Sequence, residues 1–345
     1  HPYRLACATQ TKEECIEALQ AVLAQAAQEE APGGQKKTAP EKVVFVFAGQ
    51  GSQWPGMGRA LWASEPVFAQ ALRDCEEALR PFVSWSLHQV LHSDDPLALQ
   101  PIAVLQPVLF SLQVSLAALW QSWGMHPDAV IGHSMGEVAA ATVAGILSLS
   151  DAACIICRRS QALSALVGQG AMLLVELGEA QAQEVLLPWR QQVAVAVCNS
   201  PRSSVLSGDP AALAQILELL SRQQVFCRWV KVEVASHSPQ VEPLRQSLLA
   251  ALRDLAPQAG QIPLYSTVTG SQIPGTRLDA GYWMDNLRQP VRFATTVQRV
   301  VEQGYQTFVE ISPHPLLVLP LQEALQRAGK VGSVVSSVRR DVPEE

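Results

Sequence analysis

The chain has 345 residues, of which 48% are hydrophobic and 16% are charged, so it has enough apolar surface to form a core and is not intrinsically disordered. Its 25 Lys and Arg against 31 Asp and Glu give a formal charge of −6, and no basic cluster is present to bind a phosphate backbone, which argues against a nucleic-acid partner. Its seven cysteines are scattered and odd in number, a pattern typical of a cytoplasmic protein.

The first 41 residues predict a short strand, one helix and a polar linker. The strand is predicted at Tyr3–Thr9, and Thr11 followed three positions later by Glu14 predicts a capping box that opens the helix. The apolar stripe of this helix consists of Ile16, Leu19, Leu23 and Ala26. Residues 28–41 have no periodicity. Because the sequence begins with His1, we expect a piece of a longer protein.

From Lys42 onward, predicted strands and helices alternate. Val43–Phe47 and Ala129–Ile131 are short apolar runs, as expected for strands covered on both faces. Helical patterns lie between them, and strands near 264–268 and 307–311 follow later, with helices after Pro239 and around 291–302. This alternation predicts a parallel α/β sheet. No uninterrupted apolar stretch reaches the roughly 20 residues that span a bilayer, so no membrane partner is predicted.

Residues 171–233 follow a different order, strand-helix-strand-strand-helix-strand. This β-α-β-β-α-β order is that of a ferredoxin-like module. We therefore predict a small subdomain at 171–233, inserted into a larger subdomain formed by 42–170 and 234–330.

The pattern Gly132-His133-Ser134-Met135-Gly136 directly follows a predicted strand and precedes a predicted helix. Both flanks are those of a nucleophile elbow, in which a sharp turn presents a serine hydroxyl at the N-terminus of a helix. An ordinary Gly/Ser turn is the alternative. The context favours Ser134 as a nucleophile.

A nucleophilic serine needs a base. Among the seven histidines, His237 and His314 are the two candidates. His237 lies where the chain returns from the small subdomain, at the boundary where an interdomain cleft is expected, so its position favours it. His314, in a loop after a strand, remains the alternative.

The glycine-rich turn after the first strand of the larger subdomain, Gly49-Gln50-Gly51-Ser52-Gln53-Trp54, resembles a dinucleotide-binding motif. Trp54 occupies the position of its third glycine, so we do not predict an NAD site. The turn can instead direct backbone N–H groups at an oxyanion, together with the amide of Met135.

Arg159 lies in an otherwise apolar predicted helix next to Arg158. A buried guanidinium needs an anion, ideally a carboxylate held by two parallel hydrogen bonds. A pair of surface arginines is the alternative, which the residues alone favour. Cys154 and Cys157 form a C-x-x-C pair, but no second pair completes a metal site, so none is predicted.

Nine segments together resemble the acyltransferase domains of modular type I polyketide synthases and, more distantly, bacterial malonyl-CoA:acyl-carrier-protein transacylases. These segments, in family order, are VFVFAGQGSQWPGMG, QPVLFSLQ, GHSMGEVAAATVAG, CRRS, CNSPRSSVLSG, VASHSPQ, YSTVTG, YWMDNLRQPVRF and EISPHP. The resemblance implies an α/β-hydrolase-like large subdomain with an inserted ferredoxin-like small one. It also implies that residues 1–41 are part of a ketosynthase-to-acyltransferase linker and 331–345 the start of a C-terminal linker.

The resemblance implies a role for each residue of the family's motifs. Ser134 is then the acylated nucleophile and His237 its general base and acid, oriented by backbone carbonyls rather than by an aspartate, while His314 is structural. The backbone donors of the oxyanion hole are Gln50 and Met135, and the residues that bind the substrate are Gln106, His133 and Arg159, with Arg159 at the substrate carboxylate.

In the family, the four residues that end at the catalytic histidine vary with the substrate. A His-Ala-Phe-His type accompanies malonyl units and a Tyr-Ala-Ser-His type methylmalonyl units, whereas this chain has Val234-Ala235-Ser236-His237. Ser236 leaves room for an α-methyl group, so methylmalonyl is preferred and malonyl is the alternative. Val234 and Met135 fit neither type fully.

The resemblance therefore predicts transfer of an extender unit from acyl-CoA to Ser134 and then to the phosphopantetheine thiol of an acyl carrier protein. The other expected partners are the ketosynthase and further domains of the same megasynthase, and no metal or redox cofactor is expected. Two rivals remain. A thioesterase or esterase would use Asp209 or Glu233 as its acid, and a scaffold domain would have no chemistry.

Overall fold

A computed structural model describes residues 11–28, 42–95, 97–230, 232, 234–342 and 344. The chain divides into two compact units, residues 1–41 and 42–345. In the first unit, helix α1 spans Lys12–Gln28. The predicted capping box is present, because the Glu14 N–H donates to Thr11 Oγ1 at 3.2 Å and the Thr11 N–H to Glu14 Oε2 at 3.4 Å. The predicted strand at Tyr3–Thr9 and linker residues 29–41 lie outside the described residues.

The second unit contains ten strands and twelve α-helices among its described residues. The strands are β1 Val43–Phe47, β2 Ala129–Gly132, β3 Ala171–Val175, β4 Val193–Ser200, β5 Ser203–Gly208, β6 Cys227–Val230, β7 Leu264–Ser266, β8 Ser271–Ile273, β9 Thr307–Ile311 and β10 Ser333–Ser336. The first six helices are α2 Arg59–Ser64, α3 Pro66–Leu79, α4 Leu87–Leu91, α5 Ile102–Ser122, α6 Gly136–Val143 and α7 Leu149–Ser164. The others are α8 Glu179–Val185, α9 Pro210–Arg222, α10 Arg245–Ala251, α11 Ala280–Arg288, α12 Phe293–Glu302 and α13 Val318–Arg327. Three 3₁₀ helices span Leu187–Trp189, Pro239–Leu244 and Gly275–Arg277.

Six strands form one sheet in the order β10-β9-β1-β2-β7-β8. All neighbouring pairs are parallel except β7 and β8, so the predicted parallel sheet is confirmed. The central strand β1 is buried throughout because both faces are covered. Phe45 and Phe47 pack in the core beneath α3, α5 and α7, while Val44 and Val46 pack with α12 and α13 on the other side. This explains its continuous apolar sequence.

Helix α5 lies at the centre of the core that contains Phe45 and Phe47. It has 21 residues and a mean hydropathy of 1.9 over its most apolar window, so by length and composition it could cross a membrane, although glutamines and serines interrupt its apolar sequence, as expected. However, 78% of that window is buried inside the protein. Its apolar character is therefore explained by packing on all sides.

Strands β3 to β6 form a second, antiparallel sheet in the order β4-β5-β3-β6. With helices α8 and α9 between the strands, this is the predicted ferredoxin-like module. Alternate residues of β3 point to opposite faces of this sheet and pack into two different hydrophobic cores. Leu173 and Val175 pack against α8 and α9, whereas Met172 and Leu174 face the larger layer.

The C-terminal segment 331–345 differs from the prediction that it is a linker after the domain. Residues Ser333–Ser336 form β10, which pairs in parallel with β9 at the edge of the six-stranded sheet. Further on, the Glu344 carboxylate accepts hydrogen bonds from the N–H groups of Gly58, at 2.6 Å, and Ala60, at 3.1 Å, at the start of α2. The boundary predicted at residue 330 therefore leaves out a strand of the sheet, in which Val334 packs against the core while Val331 is exposed. Hairpin strand β8 was also not predicted.

Candidate active site

Ser134 lies in the tight turn between β2 and α6. Its φ of 54° is in the left-handed region, which is strained for a residue with a Cβ and common at functional sites. The flanking glycines are required because there is no room for a Cβ atom at either position. A Cβ on Gly132 would lie 2.2 Å from the backbone of Glu137, and one on Gly136 would lie 2.3 Å from the carbonyl oxygen of Phe47. The turn therefore has the geometry predicted for the nucleophile elbow.

His237 lies beside Ser134 and is also in the left-handed region, with a φ of 59°. Its Nε2 is 2.8 Å from Ser134 Oγ, and its Nδ1 is 2.9 Å from the carbonyl oxygen of Gln289. A carbonyl only accepts hydrogen bonds, so Nδ1 carries the proton and Nε2 has a free lone pair. The imidazole is thus in the tautomer that can take a proton from Ser134.

No carboxylate orients this imidazole in the described part of the chain. Asp209, one of the two acids that a hydrolase would use, instead caps helix α9 by accepting a hydrogen bond from the Ala212 N–H at 2.8 Å. Glu233, the other, lies outside the described residues. Asp209 is therefore not placed to serve the rival hydrolase as its acid, and the carbonyl of Gln289 is the group that contacts His237 Nδ1.

Burial keeps the imidazole neutral. His237 is only 3% exposed. Its burial, and next the nearby charge of Arg159, lower its pKa from 6.5 to about 3. The hydrogen bond to the Gln289 carbonyl acts in the opposite direction. The cause is the cost of placing a cation in a poorly solvated site that already contains a guanidinium. At neutral pH His237 is therefore in the form of a base.

The predicted oxyanion donors lie on the same cavity as Ser134. This cavity has a volume of about 420 Å³, and Gln50 and Met135 are among its lining residues. Neither of their backbone N–H groups has an acceptor among the residues that the structure describes. Two unused donors beside a nucleophile are what an oxyanion hole requires.

Every other predicted site residue also lines this cavity. They are Gln106, His133, Arg159, Val234 and Ser236. His314, the alternative base, does not line it, and its Nδ1 accepts a hydrogen bond from the Arg340 N–H at 3.1 Å. The geometry thus separates the two histidines that the residues alone had left open.

Arg159 and Arg158 point in different directions from helix α7. Arg158 is exposed and lies over the ring of Phe82 at 5.4 Å, whereas Arg159 is only 3% exposed. Burial lowers the Arg159 pKa to about 10, with the charge of Glu137 acting in the opposite direction, so the guanidinium stays protonated at neutral pH. The alternative of two surface arginines is wrong, because only Arg158 is on the surface.

Three buried polar atoms on residues that line the cavity lack a hydrogen-bond partner within the described chain. They are Gln106 Oε1, His133 Nδ1 and Arg159 Nε. Burying a polar group without a partner is costly, and three such atoms on one cavity are typical of a functional site rather than of a stable core. The other nitrogen of His133, Nε2, lies 2.9 Å from Asn199 Oδ1.

Four further polar residues beside the site were not predicted: Glu137, Asn199, Asn286 and Gln289. A signal existed for two of them. Glu137 is the one carboxylate in an otherwise apolar helix α6, and Asn286 lies on the face of α11 that also carries Tyr282 and Trp283. Gln289 acts through its backbone carbonyl, which no side-chain pattern reveals.

No group of three or more His, Cys, Asp or Glu side chains that could hold a metal occurs within the described ranges. Cys157 of the C-x-x-C pair is fully buried, and burial raises the pKa of its thiol to about 12. Cys157 therefore behaves as a small apolar core residue rather than as a ligand or redox thiol.

Comparison with known proteins gives a consistent result. The family described as "Acyl transferase domain" matches residues 44–345. Erythronolide synthase EryA2 of Saccharopolyspora erythraea is 44% identical over 345 residues, which is 99% of this chain but only 10% of that protein. The chain thus spans about a tenth of the length of this relative.

Solved structures with the same fold include two that bear on the site. The acyltransferase domain from module 8 of the salinomycin polyketide synthase has a TM-score of 0.89 and 42% identity, covering 96% of this chain and 79% of that one. The malonyl CoA-acyl carrier protein transacylase of Coxiella burnetii has a TM-score of 0.78 and 26% identity, covering 86% and 94%.

Proposed function

Because this chain belongs to the acyltransferase domains of modular polyketide synthases, we propose that it transfers methylmalonyl units from coenzyme A, through Ser134, to an acyl carrier protein. The observation that carries the proposal is the 2.8 Å contact between Ser134 Oγ and a neutral, correctly tautomeric His237. The same cavity contains the buried guanidinium of Arg159. A nucleophile, a base and a fixed cation together suit acyl transfer from a thioester that carries a free carboxylate.

In the first half of the reaction, His237 Nε2 takes the proton of Ser134 as Oγ attacks the thioester carbon. The N–H groups of Gln50 and Met135 stabilise the negative charge that develops on the carbonyl oxygen. The C–S bond then breaks, His237 returns the proton to the coenzyme A sulfur, and the acyl group remains on Ser134.

The second half reverses these steps with a different thiol. His237 takes the proton of the phosphopantetheine thiol, its sulfur attacks the ester carbon, and the bond to Ser134 Oγ breaks as the proton returns to the serine. This chemistry needs no metal or redox cofactor. The acyl carrier protein, the ketosynthase and the other domains of one cytoplasmic megasynthase are the proposed partners, which the small share of the relative covered by this chain supports.

Arg159 is the proposed site for the free carboxylate of the substrate, with Gln106 and His133 contacting the acyl group. The position of Arg159 on the cavity supports this role, since its guanidinium spends one terminal nitrogen on Asn286 and a carboxylate can accept from two guanidinium nitrogens at once. The proposed preference for methylmalonyl over malonyl depends on Ser236, which lines the cavity with Val234. A phenylalanine in place of Ser236 would occupy the space for the α-methyl group.

Competition between methylmalonyl-CoA, malonyl-CoA and propionyl-CoA tests the proposal, with the mass of the intact protein reporting which acyl group it carries. We expect a methylmalonyl adduct that persists until carrier protein is added and then moves to the carrier. Rapid release of free acid without carrier would instead indicate a hydrolase, and no adduct a scaffold. A malonyl adduct would keep the transferase and change the substrate.

A further inference from the structure

Asn286, on helix α11, connects three parts of the site. Its Oδ1 accepts a hydrogen bond from an Arg159 terminal nitrogen at 2.7 Å. Its Nδ2 donates to the carbonyl oxygen of Ser134 at 3.2 Å and to Glu137 Oε2 at 3.0 Å. The residue is only 2% exposed, so water does not compete for these bonds.

The partners fix the orientation of this amide. A guanidinium only donates, and a carbonyl and a carboxylate accept, so the Asn286 oxygen must face Arg159 and its nitrogen must face Ser134 and Glu137. With the amide reversed, all three hydrogen bonds would be lost. Asn286 therefore holds Arg159 in a defined position relative to the nucleophile turn.

The position of the Arg159 guanidinium matters because a second buried charge, the carboxylate of Glu137, lies nearby. It is fully buried and accepts hydrogen bonds from the Thr267 N–H and hydroxyl and from the Tyr282 hydroxyl, as well as from Asn286. Burial raises the pKa of Glu137, and these donors oppose that rise. Glu137 Oε1 accepts from the Thr267 N–H and Oε2 accepts from the Asn286 amide, and these two groups can only donate, so the surroundings favour the carboxylate form.

Arg159 thus has a buried carboxylate behind it and the cavity in front. A direct pair between Arg159 and Glu137 would neutralise the guanidinium and turn its donors away from the cavity. The amide of Asn286 lies between the two, satisfies one guanidinium nitrogen and one carboxylate oxygen, and leaves Arg159 Nε without a partner in the described chain.

We propose that Asn286 is a positioning residue that separates Arg159 from Glu137 and keeps the guanidinium directed at the carboxylate of the incoming acyl group. This inference rests on the role proposed above for Arg159. It predicts that loss of Asn286 weakens the selection of dicarboxylic acyl groups, beyond any loss of overall stability.

The test compares covalent loading of Ser134 from methylmalonyl-CoA and from propionyl-CoA, which differ by the free carboxylate. For Asn286→Ala we expect the ratio of the two loading rates to fall about tenfold or more, mainly through a higher KM for methylmalonyl-CoA. Tyr282→Phe is the matched control. It removes the hydrogen bonds of this hydroxyl to the same Glu137 carboxylate and to Ser266 and leaves the bond between Asn286 and Arg159 in place, so it lowers stability but preserves the ratio.

Arg159→Ala separates the two hypotheses. If Arg159→Ala lowers both rates equally, the proposed role of Arg159 fails. If it lowers the ratio while Asn286→Ala leaves the ratio unchanged, the role of Arg159 stands and the inference about Asn286 fails. Asn286→Ser gives the same comparison should the alanine variant not fold, because a serine hydroxyl is too short to bridge Arg159 and Glu137, and an unchanged ratio there overturns the inference equally.

Discussion

Two sides of the cavity differ in the kind of contact that their residues make. The polar floor, which we define as Ser134, Arg159 and His237, comes from the larger subdomain, and two of its three residues have left-handed backbones. The apolar wall comes from the ferredoxin-like module and contains one or two side chains from each of its strands: Met172, Leu174, Val197, Val205 and Val230.

The polar floor depends on direction and the apolar wall on volume. A displacement of Ser134 or His237 by 1 Å would break their 2.8 Å contact, because hydrogen bonds weaken quickly with distance and angle. Apolar contacts have no such directionality, and swaps of similar volume are tolerated in well-packed regions. Chemistry should therefore be confined to the floor, and substrate size should be set by residues that border the wall.

The largest expected effect follows from removing the nucleophile or the base. Ser134→Ala should abolish the covalent adduct. His237→Ala should slow loading on the order of 10⁴-fold, since a nucleophile and its base act as one unit and loss of either removes most of the rate. Intact mass after mixing with methylmalonyl-CoA measures the adduct. His126→Ala, at an exposed histidine, serves as the control. A normal adduct on Ser134→Ala would show that the floor is wrongly assigned.

The next effect concerns selection of the carboxylate. Arg159→Ala should reduce loading from methylmalonyl-CoA relative to propionyl-CoA by about 100-fold, or about 2.8 kcal/mol, because a desolvated charge pair is lost. Arg158→Ala is a matched control on the same helix, since that side chain is on the surface over Phe82. Equal losses with both substrates would show that Arg159 supports the fold rather than the substrate.

The sequence predicted the floor better than its surroundings. Short-range patterns suffice for an elbow, since Gly132 and Gly136 are required by close backbone contacts around Ser134. His237 was favoured by its position before the resemblance was considered, and a substrate-binding role for Arg159 was predicted only from the family resemblance. The orienting carbonyl of Gln289 and the bridging amide of Asn286 depend on contacts over 52 and 152 residues, which no local pattern encodes.

The fold shows the same division. Continuous apolar strands and the β-α-β-β-α-β order are local and predicted both sheets. The edge strands β8 and β10 were missed because they are short, only partly buried and lie next to turns. Their pairing partners, rather than their own sequences, determine that they are strands.

A change at the border of the wall should alter size selection and leave the chemistry intact. Ser236→Phe combined with Val234→His should shift the preference toward malonyl-CoA by about tenfold, since one methyl group in an apolar pocket is worth about 1 to 3 kcal/mol. Competition between malonyl-CoA and methylmalonyl-CoA, read by adduct mass, gives the ratio. An unchanged ratio with normal loading would place the selection of size elsewhere in the cavity.

The smallest expected effect is the response of the floor to acid. A histidine with the ordinary pKa of about 6.5 would lose about tenfold of its neutral form between pH 7.5 and pH 5.5. The pKa of His237 is lowered to about 3, chiefly by burial, so the base remains neutral over this range. Single-turnover loading at saturating substrate should therefore change less than about twofold, provided that the protein stays folded.

The lowest pH at which loading can be measured is set by the stability of the fold. The lowered histidine pKa values also determine the direction in which that stability changes with pH. Burial also lowers the pKa of His133. Below pH 6.5 the unfolded chain takes up protons at both histidines while the folded protein does not, so stability falls with falling pH by up to about 1.4 kcal/mol per unit for each histidine. Urea unfolding at each pH measures this loss. Methylmalonyl-N-acetylcysteamine, which lacks the titrating phosphate of coenzyme A, should be the acyl donor. A tenfold decline in loading by protein that remains folded would mean that His237 is solvated during the reaction, and the floor would then be less rigid than its contacts imply.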